Sequence, residues 1–247
     1  MKRHAYAVLL LAALAGCGGV QIKPEPVLPK ALVKPLPARI GLVIQPEMRN
    51  LQHKETRWGV GWQVALGAGH VRLARDLFKA EFGDVVEFSD VESASRAPGL
   101  KAIFEPRIEQ YSFATARETG GRHYAVTIRY RINLFAPDGA LADSYTLTGY
   151  GSALAKGMSS GRPLESASRA AMRDAAAKFL VQFPDQQAGK RLAANEAVVA
   201  EKAAANADSG PAAIIEAVPI YESGQSSVPP PPQEPPQQPL RAADEAS

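Results

Sequence analysis

Between Tyr124 and Phe135 the chain alternates without interruption: Tyr124, Val126, Ile128, Tyr130, Ile132 and Leu134 are apolar, with Thr127, Arg129, Arg131 and Asn133 set between them. Successive side chains of a strand point to opposite faces, so this pattern requires one buried face and one wet face. Pro137, Asp138 and Gly139 supply turn chemistry, and Ala142 to Ala153 reads as the return strand of an antiparallel hairpin. A sheet buried on one side needs a cover, and helical spacing occurs twice. Val71, Ala74, Leu77, Phe78 and Phe82 share a face of a helix from Gly69, with Gly83 at the C-cap position. Leu164, Ala167, Ala171, Ala175 and Phe179 share a face of a second helix, which starts near Pro163 and stops before Pro184.

Shorter signals fill the remainder. Arg39 to Gln45 is a continuous apolar run suited to a buried first strand. Val85 to Phe88 and Lys101 to Phe113 read as further strands, while Met48 to Gly69 reads as a loop with a strand around Trp58 to Leu66. The expected fold is α+β, a mostly antiparallel sheet with two helices packed on one face. Proline clusters mark the limits: a Pro-rich tether over 17–37, one domain over 38–183, and an Ala-rich partial helix followed by a Pro-rich tail over 184–247.

The first residues follow a different logic. Lys2 and Arg3 precede an apolar run, Ala5 to Ala13, that is too short to span a bilayer and has the layout of an export signal. It ends at Leu14-Ala15-Gly16-Cys17, which holds the only cysteine. This tetrapeptide resembles the lipobox of bacterial lipoproteins. The resemblance implies removal of residues 1–16 and acylation of Cys17. Gly18 stands where an aspartate marks retention in the inner membrane, which implies the outer membrane and its periplasmic face. With Cys17 consumed by lipid, no disulfide is available and stability must come from packing. Loss of Lys2 and Arg3 from 28 basic residues leaves 26 against 25 acidic, and that balance gives no electrostatic case for nucleic acid.

The residues able to carry chemistry are isolated in the sequence. Gly157 to Gly161 fits the G-x-S-x-G pattern of a nucleophile elbow, yet the last histidine, His123, precedes it, and the segment reads as a Gly/Ser loop. His53, His70 and His123 show no metal spacing, no phosphate-binding glycine motif occurs, and neither metal nor cofactor is expected. Glu105 with Glu109, and Asp84, Glu87, Asp90 and Glu92, are carboxylates whose convergence spacing alone cannot establish. Arg129 and Arg131, with Arg107 on a neighbouring strand, form a basic row that either meets an anionic partner or is a solvated strand face. Trp58 and Trp62 bracket a glycine-rich loop and are candidate partner anchors, with core packing the alternative.

The lipobox, the proline tether, the strand RIGLVIQ, the helix VRLARDLFKAEF, the strand VVEFSDV, the Asp-Gly hairpin and the Ala-rich closing helix together resemble the small envelope lipoproteins of the YajG type. More distantly they are similar to the TolB amino-terminal-like domains of curli-secretion and penicillin-binding-protein-activating lipoproteins. The resemblance implies a non-enzymatic adaptor or assembly factor, held at the membrane by its lipid and working on an envelope protein. The alternative is a carrier for lipid or glycan, which needs a deep apolar cavity.

Overall fold

The computed structural model describes residues 19–28, 34–155 and 161–200. The order is β1 (Val20–Ile22), β2 (Leu36–Val43), α1 (Pro46–Arg49), β3 (Gln52–Arg57), β4 (Val60–Ala65), α2 (Gly67–Glu81), β5 (Phe82–Phe88), α3 (Val91–Ser95), β6 (Ala102–Ala114), β7 (His123–Phe135), β8 (Leu141–Leu154), α4 (Gly161–Gln182), a 3-10 turn (Phe183–Asp185) and α5 (Gln187–Ala193). Five strands form one sheet in the order β5-β2-β6-β7-β8, and three form a smaller sheet in the order β1-β4-β3.

The fold is α+β, and its sheets are mixed. β6, β7 and β8 are antiparallel, with the long hairpin registered from His123 opposite Leu154 to Leu134 opposite Asp143. β2, however, runs parallel to both β5 and β6. The two sequence patterns differ for this reason: Ile40 to Ile44 is covered on both faces wherever a side chain projects, and a strand buried on both sides reads as an unbroken apolar run.

Helices α2 and α4 lie on one face of the large sheet, as their spacing requires. Between them Phe78, Phe82, Phe104, Phe179 and Phe183 pack ring against ring, with centroids 5.0 Å apart for Phe78 and Phe104 and 4.8 Å for Phe179 and Phe183. Over β8 the contact is closer still. A Cβ on Gly149 would lie 2.0 Å from the Ala171 carbonyl oxygen, and one on Gly151 would lie 2.1 Å from that of Ala167. Only glycine admits the helix backbone there. The same helix closes the outer edge of β8, since Asp174 accepts from Tyr150 N–H at 2.9 Å and Lys178 donates to the Thr148 carbonyl at 2.8 Å. An edge strand with its free groups engaged is a poor template for further strands.

Three expectations change. Residues 20–28 of the proline-rich stretch are not a free spacer: Val20–Ile22 pairs with β4, and Ile22, Pro24 and Pro26 are buried. Ordered packing likewise continues past Pro184, where Ala188, Leu192 and Val198 join the core. In the segment read as a loop with one strand, the strand is present as β4, and it pairs with a second, β3, in a hairpin joined by Trp58 and Gly59 at φ 54° and 75°. Both central residues with positive φ match the primed turns that suit strand twist, and a tryptophan in the first position hid that signal. Cys17, the Gly157–Ser160 part of the G-x-S-x-G segment and the tail from residue 201 lie outside the described residues.

Candidate functional site

The second face of the large sheet has a different lining. Register places Glu105, Asn133 and Ser144 in one row, Arg107, Arg131 and Thr146 in the next, Gln110, Arg129 and Thr148 in a third, and Ser112, Thr127 and Tyr150 in a fourth. Helix α3 covers only one end of this face, where Val43, Ala94, Leu100 and Ile103 form a small separate core. Among the described residues the remaining rows have no covering element.

Hydrogen bonds knit the covered end to the open one. Glu105 is buried and accepts from the Gln45 amide and, at 2.8 Å, from Asn133. Ser144 donates to Asn133 at 3.0 Å, and Arg131 reaches Ser144 at 3.3 Å while its Nε pairs with Glu109. Arg131 is therefore neutralised and held. Its cross-strand neighbour Arg107 and the exposed Arg129 have no carboxylate partner among the described residues. The basic row predicted from alternation is real in space, and its unneutralised members are Arg107 and Arg129.

The two tryptophans part company. Trp62 is 6% exposed and packs between Phe113, at 5.3 Å, and Tyr124, at 6.2 Å. It is packed in the core, the alternative that the sequence left open. Trp58, at the turn, is 60% exposed and carries the Arg117 guanidinium 4.3 Å above its ring. Arg117 belongs to the β6–β7 loop, which the sequence did not single out.

Each carboxylate considered for acid-base work has a structural partner. Glu87 is gripped by Arg75 at 2.6 Å and Arg49 at 2.7 Å, which hold its pKa down to about 2. Asp84 faces Arg39, Asp90 caps α3 through Ser93 N–H, and Glu92 pairs with Arg96. Glu105 and Glu109 belong to the network above. Among the described residues no three His, Cys, Asp or Glu side chains gather as a metal site, and no helix is long and apolar enough to cross a membrane.

A small apolar space lies between α2 and α4 and the sheet, against His70, Tyr130 and Pro106. His70 is fully buried, and neither ring nitrogen has a hydrogen-bond partner. Desolvation drives its pKa down to about 4; the Pro106 carbonyl nearby opposes the shift without reaching bonding geometry. The space is about 20 Å³, enough for one water molecule and far below an acyl chain or a sugar.

No family model matches the chain, and no curated protein matches it. Among solved structures, the chain aligns with that of a candidate lipoprotein from Caulobacter crescentus CB15 at 11% identity and a TM-score of 0.31, over 49% of this chain and 84% of that one. A likeness of that degree leaves the function to be argued from this chain's own residues.

Proposed function

We propose that the protein is a bacterial lipoprotein, anchored through Cys17 to the periplasmic face of the outer membrane, that acts as a non-enzymatic adaptor for another envelope component. The observation that carries the adaptor reading is the uncovered face of β6, β7 and β8. Strands of 13 and 14 residues present four polar rows there, and Arg107 and Arg129 stand without carboxylates. A solvated face serves solubility with either sign of charge. Two unneutralised guanidinium groups on a rigid ladder instead suit carboxylates or phosphates, which guanidinium binds in bidentate fashion. The anchor itself is supported by the lipobox-like tetrapeptide and its solitary cysteine.

The test is a photo-crosslinking amino acid placed in the full chain at Thr127, on the open face, and at Val181, exposed on α4. A discrete adduct from position 127 in intact cells, absent from 181 and lost with Arg129→Glu, is the expected result. Equal labelling from both positions refutes the adaptor surface. Ligand carriage has weaker support: the space beside His70 holds one water, and the larger clefts beside Trp62 and Val198, about 410 and 510 Å³, are lined by charged and polar side chains such as Lys54, Glu55, Asp143 and Arg191 and not by a deep apolar wall.

A further inference from the structure

One end of the molecule collects features that the open face does not use. β1 runs parallel to β4 with Val20 opposite Trp62, and Gly19 sits so close to Gly61 that a Cβ on it would lie 2.7 Å from the Gly61 carbonyl oxygen. The chain therefore enters the fold beside the β3–β4 turn. Cys17 is two residues upstream, and an extended chain covers at most about 7 Å in two residues. A lipid on Cys17 would therefore be tethered within two residues of Gly19, at the end of the fold where β4 leaves the turn that carries Trp58.

The neighbours at that end fit the same setting. Val60 and Leu154 are large apolar side chains with 39% and 55% exposure. Leu154 closes β8 opposite His123, and the β6–β7 loop is tied to it by Ala155 N–H donating to the Arg122 carbonyl at 2.8 Å. That loop carries Arg117 on the Trp58 ring and Arg122, both without a carboxylate partner among the described residues. Arg57, by contrast, is held by Glu55 and Glu118, each at 2.7 Å, which stiffens the stem of the turn. Trp58 thus projects from a rigid hairpin in a positive-φ turn that fixes its direction.

We propose that this end is a membrane-docking face: Trp58, Val60 and Leu154 enter the interfacial layer of the bilayer, and Arg117 and Arg122 meet its anionic headgroups. The inference rests on acylation of Cys17 and adds to it an orientation. Tryptophan, with an apolar body and a polar N–H, favours the boundary between headgroups and chains. Basic residues near anionic lipid add attraction that salt weakens. With the acyl chains already inserted, these contacts cost no further encounter with the membrane and need only hold the domain at one angle. The domain is then seated at the bilayer, because residues 20–28 are packed and cannot act as the long tether that the prolines suggest. The β7 and β8 strands start and end at this face, so the open sheet stands away from the membrane with its arginine rows accessible.

The chain contains two tryptophans, and Trp62 is buried, which makes the experiment direct. The native full-length protein is reconstituted in vesicles of phosphatidylethanolamine and phosphatidylglycerol, with and without lipids brominated near the headgroup end of the chain. Intact mass of the same preparation reads the modification of Cys17. The expected result is an acylated protein whose emission is quenched by brominated lipid and spared by aqueous iodide. Trp58→Phe removes most of that quenching, and Arg117→Glu with Arg122→Glu reduces it while the protein stays on the vesicles. Iodide quenching of Trp58 with no effect of brominated lipid, in a protein whose Cys17 is acylated, overturns the orientation and leaves the anchor standing. An unmodified Cys17 overturns both.

Discussion

The two faces of the five-stranded sheet come from the same strands and share almost nothing else. On one, alternate residues meet α2 and α4 through five phenylalanines and two glycines that admit a helix at backbone contact. On the other, the intervening residues meet water through arginine, asparagine and threonine, joined in a hydrogen-bonded row from Gln45 to Glu109. The covered face specifies the fold by volume. The open face specifies position and charge and adds little to stability, because exposed ion pairs and hydrogen bonds contribute about 1 kcal/mol or less each. Substitutions at equal depth along one strand should therefore separate folding from binding.

The largest effect is expected from Phe104→Ala. This ring touches Phe78, Phe82, Phe179 and Phe183, so its removal leaves a cavity bounded by two helices and the sheet. A loss of about 3–5 kcal/mol is expected, read as a lower urea midpoint at unchanged slope. A loss under about 1 kcal/mol would mean that the phenylalanine cluster repacks around the gap.

A second test uses two titrating groups on the covered side. His70 is held neutral, its pKa down to about 4, and so contributes stability that is complete above its ordinary value of 6.5 and lost as pH falls toward 4. Glu81 at the end of α2 is raised by burial to about 7, so its contribution is complete below 4.5 and lost as pH rises toward 7. The opposed slopes of these two groups nearly cancel between pH 4.5 and 6.5. Glu81→Gln removes the falling branch and exposes the rising one, with a climb of about 2–3 kcal/mol across that interval. Urea midpoints at three pH values check it, and a level profile in the variant refutes the burial of a neutral His70.

Gly151→Ala probes the same face at its tightest point. The added methyl group would lie 2.1 Å from the Ala167 carbonyl oxygen and 2.5 Å from Ala171 N, so α4 must move outward. Overpacking of this kind costs about 1–3 kcal/mol. Ser152→Ala, one residue on and facing water, should change the urea midpoint little.

Much of this contrast was legible in the residues, and the reasons for the failures are physical. Alternation from Tyr124 to Leu134 located both faces, because a one-residue period error would have buried Arg129 and Arg131. The continuous run Ile40 to Ile44 carried the sign of a buried strand, and the longest ladders are antiparallel as expected; that β2 pairs in parallel with both neighbours is set by the crossovers through α2 and α3, which no local run specifies. Trp58 and Trp62 lie four residues apart on one hairpin; without its turn assigned, nothing separates the exposed ring from the buried one. Composition reports the stiffness of the proline-rich start and not where it packs: Ile22 pairs along β4 and the Pro24 carbonyl lies against Gly69 of α2. The row through Gln45, Glu105, Asn133 and Ser144 joins residues up to 60 positions apart for a single bond, which no local pattern discloses.

The smallest expected change in stability belongs to the residue with the most to say about function. Arg129 is exposed, opposes Gln110 and Thr148, and has no carboxylate partner among the described residues, so Arg129→Glu removes no ion pair seen in the fold. It should alter unfolding free energy by less than about 0.5 kcal/mol. It places a carboxylate within the basic row, diagonal to Arg107 and one step from Arg131, and can draw both guanidinium groups inward. The open face would then present negative charge where an anionic partner requires positive charge. Loss of the position-127 crosslink with an unchanged urea midpoint is the result that separates the two faces; a stability loss as large as that of Gly151→Ala would mean that Arg129 belongs to the architecture and the distinction between the faces fails.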